Sequence, residues 1–157
     1  MLRTLYTIGY EKRTIDEFVE LLEDAGIGVL VDVRETAWSH KPGFSKTAFA
    51  AALGTAGIEY VHAPFAGNPK GLRDAAPDHA ACLDAYRRYL DQNTGIVDKL
   101  DDVIRPYLSD GVNVCIACFE RHAGDCHRSI LGEAWCRVGR RSVKHLATAG
   151  CSRLIRV

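Results

Sequence analysis

The sequence predicts an α/β fold. One open, mainly parallel sheet carries helices on both faces, a three-layer arrangement of the Rossmann-like or flavodoxin-like kind. Three observations predict it. Strand-like and helix-like segments alternate in the order β-α-β-α-β-α-(α)-β-α-β, the pattern of parallel strands joined by right-handed helical crossovers. Two runs, Val29 to Val33 and Val112 to Ala117, are almost continuously apolar, as strands covered on both faces are. The chain has 157 residues, enough for a single domain over residues 1–157 and too few for the eight strand–helix units of a closed barrel.

The first strand is expected over Leu2 to Ile8, ending at Gly9. Thr14-Ile-Asp-Glu17 is a capping box, in which the threonine hydroxyl and the glutamate carboxylate satisfy two free N–H groups of a helix start. The helix it opens places Ile15, Phe18, Val19, Leu21 and Leu22 on one face and stops at Gly26. Val29 to Val33, broken only by Asp32, reads as a central strand with Arg34 and Glu35 just beyond it. Thr36 to Phe44, with Trp38, Pro42 and Gly43, reads as a loop. Ser45 is expected to cap a second helix with Phe49, Ala52 and Leu53 inward, ending at Gly57. Ile58 to Val61 is a third strand. His62 to Pro77, rich in proline and glycine, reads as a long irregular loop of the kind that carries function or disorder. Asp78 caps a helical stretch to Leu108 that breaks near Asn93-Thr-Gly95. After the Val112 strand a helix is expected with Ile130, Leu131, Ala134, Trp135 and Val138 at helical spacing, then a last strand near Ser142 to Leu146.

Composition narrows the function classes. Hydrophobic residues are 47% and charged residues 25%, ordinary for a globular protein. Formal net charge is zero, so whole-chain electrostatics call for no acidic partner. The exception is local: Arg137, Arg140, Arg141, Lys144, Arg153 and Arg156 follow Ala134 with no acidic residue among them. They form either a solvated basic face or a surface that meets phosphates. No signal peptide is expected, no run approaches a membrane span, and Cys82, Cys115, Cys118 and Cys136 fall in core-like segments. A reducing cytoplasm with free thiols follows as the expectation, and the oligomeric state is left open.

The chemistry concentrates in Cys118 to Arg128. In a parallel sheet every strand ends on the same edge, and open sheets bind ligands there. That edge would gather Tyr10, Asp32, Arg34, the loop from His62 to Pro69, and the Cys118 to Arg128 segment. Arg34, directly after a buried strand, either pairs with Asp32 or Glu120 or receives an anion. Arg128 lies in the first turn of a helix beside free backbone N–H groups, a ready anion site. Tyr10 and Cys118 complete the expected binding set. Cys126 at the same helix start is expected to have a lowered pKa and to act as a nucleophile, or else to be a small buried residue. His127 is a general acid or base, or a capping donor. Asp32 and Glu120 are expected as an acid–base pair, with hydrogen bonding to backbone amides the alternative for Asp32. Cys115-x5-Arg121 has phosphatase-loop spacing, but Cys115 falls inside a strand and the intervening residues lack glycine. Cys115-x2-Cys118 with Cys126 and His127 resembles a zinc set, yet Cys115 and Cys118 should face opposite sides of the strand.

Thr7-Ile-Gly-Tyr10, Val31-Asp-Val-Arg34, Pro42-x-Phe44 and Cys118-x-Glu120-x5-Cys126-His-Arg128 together resemble the bacterial and archaeal family named domain of unknown function 488. The resemblance runs from Leu5 to about Leu146. It implies a small α/β domain with these polar residues around one cleft, and it supplies no reaction. The family's middle loop often reads leucine-glycine-glycine, where this chain has Phe65-Ala-Gly67-Asn-Pro69. The leading functional expectation is an enzyme on a phosphate-bearing small molecule or nucleic acid, with no cofactor and no metal. Two alternatives stand beside it: a nucleotide- or anion-binding module without chemistry, and a metal protein using Cys118, Cys126, His127 and Glu120.

Overall fold

The computed structural model describes residues 2–146 and 154–155. The strands are β1 (Arg3–Gly9), β2 (Ile27–Asp32), β3 (Glu59–His62), β4 (Asn113–Cys118), β5 (Arg141–His145) and β6 (Leu154–Ile155). The helices are α1 (Ile15–Asp24), α2 (Lys46–Thr55), α3 (Lys70–Ala75), α4 (His79–Gln92), α5 (Gly95–Ser109) and α6 (His127–Cys136). The sheet order is β3-β2-β4-β1-β5-β6. The first five strands all run parallel, as the alternating pattern requires. The two-residue β6 pairs antiparallel with β5; it was not expected from sequence.

Side-chain alternation along the strands divides the core in two. Leu5, Val29, Val31, Val114, Ile116 and Cys118 face one side, where α4, α5 and α6 bring Tyr86, Leu90, Leu100, Ile104, Leu131 and Trp135. Ile8, Leu30, Cys115 and Ala117 face the other, against Phe18 and Leu22 of α1 and Phe49 and Leu53 of α2. Full burial of each such side chain contributes roughly 1.5–3 kcal/mol. Cys115 and Cys118 therefore stand on opposite faces of β4.

The helix ends show which local signals hold. Thr14 and Glu17 form the full capping box. Asp78 accepts from Ala81 N at 2.8 Å, and α4 gives way to α5 at Asn93-Thr94. Ser45 sits at the start of α2 without capping it; its hydroxyl bonds instead to the backbone of Ser39. The stretch from His62 to Pro77 is less irregular than expected, holding a 3₁₀ turn at Pro64–Ala66 and the short α3. Helix α6 stops at Cys136, so Val138 is exposed rather than on its apolar face. Arg137 and Arg141 of the basic C-terminal stretch pair with Asp91 and Asp101; Arg153 and Arg156 lie outside the described residues. Among the described residues no helix is long and apolar enough to cross a membrane.

Candidate functional site

Neighbouring strands β2, β4 and β1 end side by side. The chain leaves β1 and β2 toward α1 and α2 on one face, and leaves β4 toward α6 on the other. Where successive connections part in this way, a crevice opens beyond the strand ends. A cleft of about 640 Å³ lies there, with Tyr10, Arg34, Cys118, Glu120 and His127 among the residues that line it. Arg34 and the Cys118 loop thus line one cleft.

Asp32 is fully buried and belongs to the scaffold of this cleft. Its Oδ1 accepts from Arg34 N (3.2 Å) and Nε (2.8 Å), and its Oδ2 from Arg34 Nη2 (2.7 Å) and the Tyr60 hydroxyl (2.6 Å). Four donors leave it no lone pair for a substrate, and it does not line the cleft. The expected Asp32–Glu120 acid–base pair is therefore not assembled. Burial by itself would lower the Arg34 pKa, but the Asp32 carboxylate outweighs it and raises the value. Burial and the same carboxylate raise Tyr60. The remaining Arg34 amino group donates to the Tyr10 hydroxyl at 3.2 Å, so Arg34 presents an edge to the cleft while tied to its strand. The Tyr10 ring stacks on fully buried Phe44 at 4.5 Å, which gives the Pro42-x-Phe44 segment its role.

Arg128 does something other than bind an anion. It is fully buried and does not line the cleft. Its Nε donates to Thr7 Oγ1 (3.2 Å), Nη1 to the Glu120 carbonyl and Nη2 to the Arg121 carbonyl (3.3 Å). The guanidinium is a strut beneath the loop, satisfying carbonyls that no strand or helix reaches. Gly9 makes the approach feasible, since a Cβ there would stand 1.8 Å from the Glu120 carbonyl oxygen.

At the floor of the cleft, Cys118 and His127 form a cluster with Cys126, which is packed behind them. His127 Nε2 meets the Val33 carbonyl at 3.2 Å. A carbonyl only accepts, so Nε2 carries the proton and the neutral ring has its lone pair on Nδ1. That lone pair faces Cys118 Sγ at 3.5 Å and Cys126 Sγ at 3.7 Å. Glu120 Oε2 stands 3.7 Å from Cys118 Sγ. Cys126 caps α6 with its sulfur, which accepts from Arg128 N at 3.5 Å. Its helix-start position led to an expected lowered pKa, but it is wholly enclosed, and burial, with Cys118 beside it, pushes the thiol well up. Desolvation of the charged form exceeds the helix contribution. Cys118 rather than Cys126 reaches the cleft. Cys115, the head of the phosphatase-like spacing, is in the opposite core with its pKa raised by burial.

Several lining residues carried no sequence signal. Trp38 and Phe119 are large, exposed aromatics (59% and 46%) at the cleft. Asn68, Arg73, His79 and Cys82 come from the α3–α4 side. An aromatic in a proline- and glycine-rich loop was the one usable hint, at Trp38; the α4 contacts depend on packing. Gly67 lets that side close, because a Cβ there would lie 2.5 Å from Glu35 N.

The fold and site define a class: a parallel-sheet α/β protein with a thiol–imidazole–carboxylate cluster at the strand C-termini. The chain belongs to the DUF488 family, whose model, described as a domain of unknown function, matches residues 14–135. That span includes the Val31–Arg34, Pro42–Phe44 and Cys118–Arg128 motifs and omits Thr7–Tyr10. No curated protein matches the chain. A similar solved structure is the crystal structure of a candidate phosphatase (DUF442) from Shewanella putrefaciens CN-32. It is 14% identical, with 85% of each chain covered and a TM-score of 0.35, too low to carry an argument.

Proposed function

We propose that this chain is an enzyme, a hydrolase or transferase, acting on a phosphate-bearing substrate such as a nucleotide or a nucleic-acid end. The observation that carries the reading is the placement of the Cys118–His127–Glu120 group on the floor of a cleft whose wall presents Arg34. The cleft volume is of nucleotide scale. Trp38 and Phe119 offer apolar faces for a base. Arg34, with Tyr10 beside it, meets the anionic part. Glu120 acts as acid or base at the reacting end, with His127 holding the cluster beside it. Asp32 and Arg128 are positioning residues: one fixes the Arg34 fork, the other the loop bearing Glu120.

Turnover of a panel of nucleoside phosphates and of 5′- and 3′-phosphorylated oligonucleotides tests this. Wild type should turn over at least one class, and Glu120→Gln should lose about 100-fold or more. Binding of the panel without turnover would leave a non-catalytic module, and neither binding nor turnover would end the phosphate reading.

A further inference from the structure

We propose that Cys118, Cys126 and His127 form a site for one transition-metal ion, best matched by zinc, with its fourth position open to the cleft. The inference deepens the functional reading above and rests on it only for the metal's catalytic use; the site itself stands on geometry.

The three donor atoms lie within 4.8 Å of one another, and all three residues are buried. For tetrahedral zinc with Zn–S of about 2.3 Å and Zn–N of about 2.0–2.1 Å, sulfur and nitrogen would be about 3.6 Å apart. The two separations here are 3.5 and 3.7 Å. Without a metal, Cys118 S–H donates to Glu120 Oε2 and Cys126 S–H can reach His127 Nδ1. A cation bound by all three would replace both thiol protons and take the two sulfurs and the nitrogen together. A Cys118–Cys126 disulfide would instead leave that buried Nδ1 without a partner, at the cost of an unsatisfied acceptor.

The surroundings are those of a metal-binding imidazole. His127 donates Nε2–H to the Val33 carbonyl, which fixes the ring and the tautomer, as outer partners of metal-bound histidines do. The Arg128 backbone N–H donates to Cys126 Sγ, an outer partner that holds the sulfur in place. Two thiolates and one imidazole are a soft set that selects zinc over magnesium or calcium. Cys118 and His127 line the cleft while Cys126 lies behind them. Three protein ligands with an open side match a catalytic rather than a closed structural zinc site. Glu120 also lines the cleft, 3.7 Å from Cys118 Sγ.

The test is zinc and cobalt binding to the purified full chain. Wild type should take up about one equivalent of Zn²⁺, melt higher with zinc present, and with Co²⁺ show tetrahedral d–d absorption plus thiolate-to-cobalt charge transfer. Cys118→Ser, Cys126→Ser and His127→Ala should each weaken zinc binding about 100-fold or more, whereas Cys82→Ser should leave it unchanged. Circular dichroism confirms that each variant folds; Cys118→Ser, at the cleft edge, serves if Cys126→Ser does not. No zinc uptake by wild type, or uptake that survives Cys118→Ser, overturns the site. Zinc uptake without turnover of any phosphate substrate keeps the site and removes the enzymatic reading. Turnover by protein that takes up no zinc does the reverse.

Discussion

Two arginines, each just beyond a strand or at a helix start, have opposite fates. Arg34 stands in front of the sheet edge, its charge matched by Asp32 and one edge still facing the cleft. Arg128 stands behind the loop, and its acceptors among the described residues are uncharged: Thr7 and two carbonyls. The difference teaches that an arginine near a binding edge is not thereby a ligand for an anion. A buried guanidinium is satisfied wherever enough oxygen atoms converge. In one region those are a carboxylate and a phenol, in the other the backbone of the loop it supports.

Removing each arginine breaks the comparison most directly. Arg128→Ala strands two carbonyls and a hydroxyl around a cavity, and should cost about 3–5 kcal/mol, lowering Tm by about 10 °C or more. A thermal melt checks this; a change under a few degrees would mean that the loop is held by other contacts. Arg34→Ala should cost somewhat less, about 3 kcal/mol, by leaving the Asp32 carboxylate buried with only Tyr60 and one backbone N–H. The double variant Asp32→Asn with Arg34→Ala should then be less destabilised than the sum of the singles. Strict additivity would show that the pair is not the scaffold unit described here.

The region behind the loop also has a pH signature. Thr7 Oγ1 accepts from Arg128 Nε and lies 2.6 Å from His145 Nδ1. Burial, with Arg128 nearby, pushes the His145 pKa from 6.5 down to about 4. A histidine whose folded pKa is depressed contributes stability that is present above pH 6.5 and is lost as pH falls through about 4. Tm should decline across that window, and His145→Gln should reduce the slope by a few degrees. An unchanged slope would place the acid sensitivity elsewhere.

The smallest expected effect is at the cleft mouth. Trp38 is exposed, so Trp38→Ala should shift stability by no more than about 0.5 kcal/mol. The same change should weaken nucleotide binding, read by titration calorimetry, while leaving inorganic phosphate binding unaffected. Equal loss of both ligands would argue against a base-stacking role.

Much of the architecture was written locally. The apolar runs at Val29 and Val112, the Thr14 and Asp78 caps and the break before Gly95 each act through residues close in sequence. Short-range propensity and side-chain periodicity therefore carried them, and strand direction then placed Tyr10, Arg34, Cys118, Glu120 and His127 at one edge. What each polar group does there was another matter. Asp32 and Arg128 were drawn into the scaffold, and Cys126 was sealed behind the cleft. Partners such as the Glu120 carbonyl, the Val33 carbonyl and the Tyr60 hydroxyl are backbone atoms or distant residues with no local signature. The sequence by itself determined which side chains reach the sheet edge. Only the tertiary structure decided which of them find internal partners and which face the cleft, because hydrogen bonding and desolvation depend on atoms brought together from strands far apart in the chain.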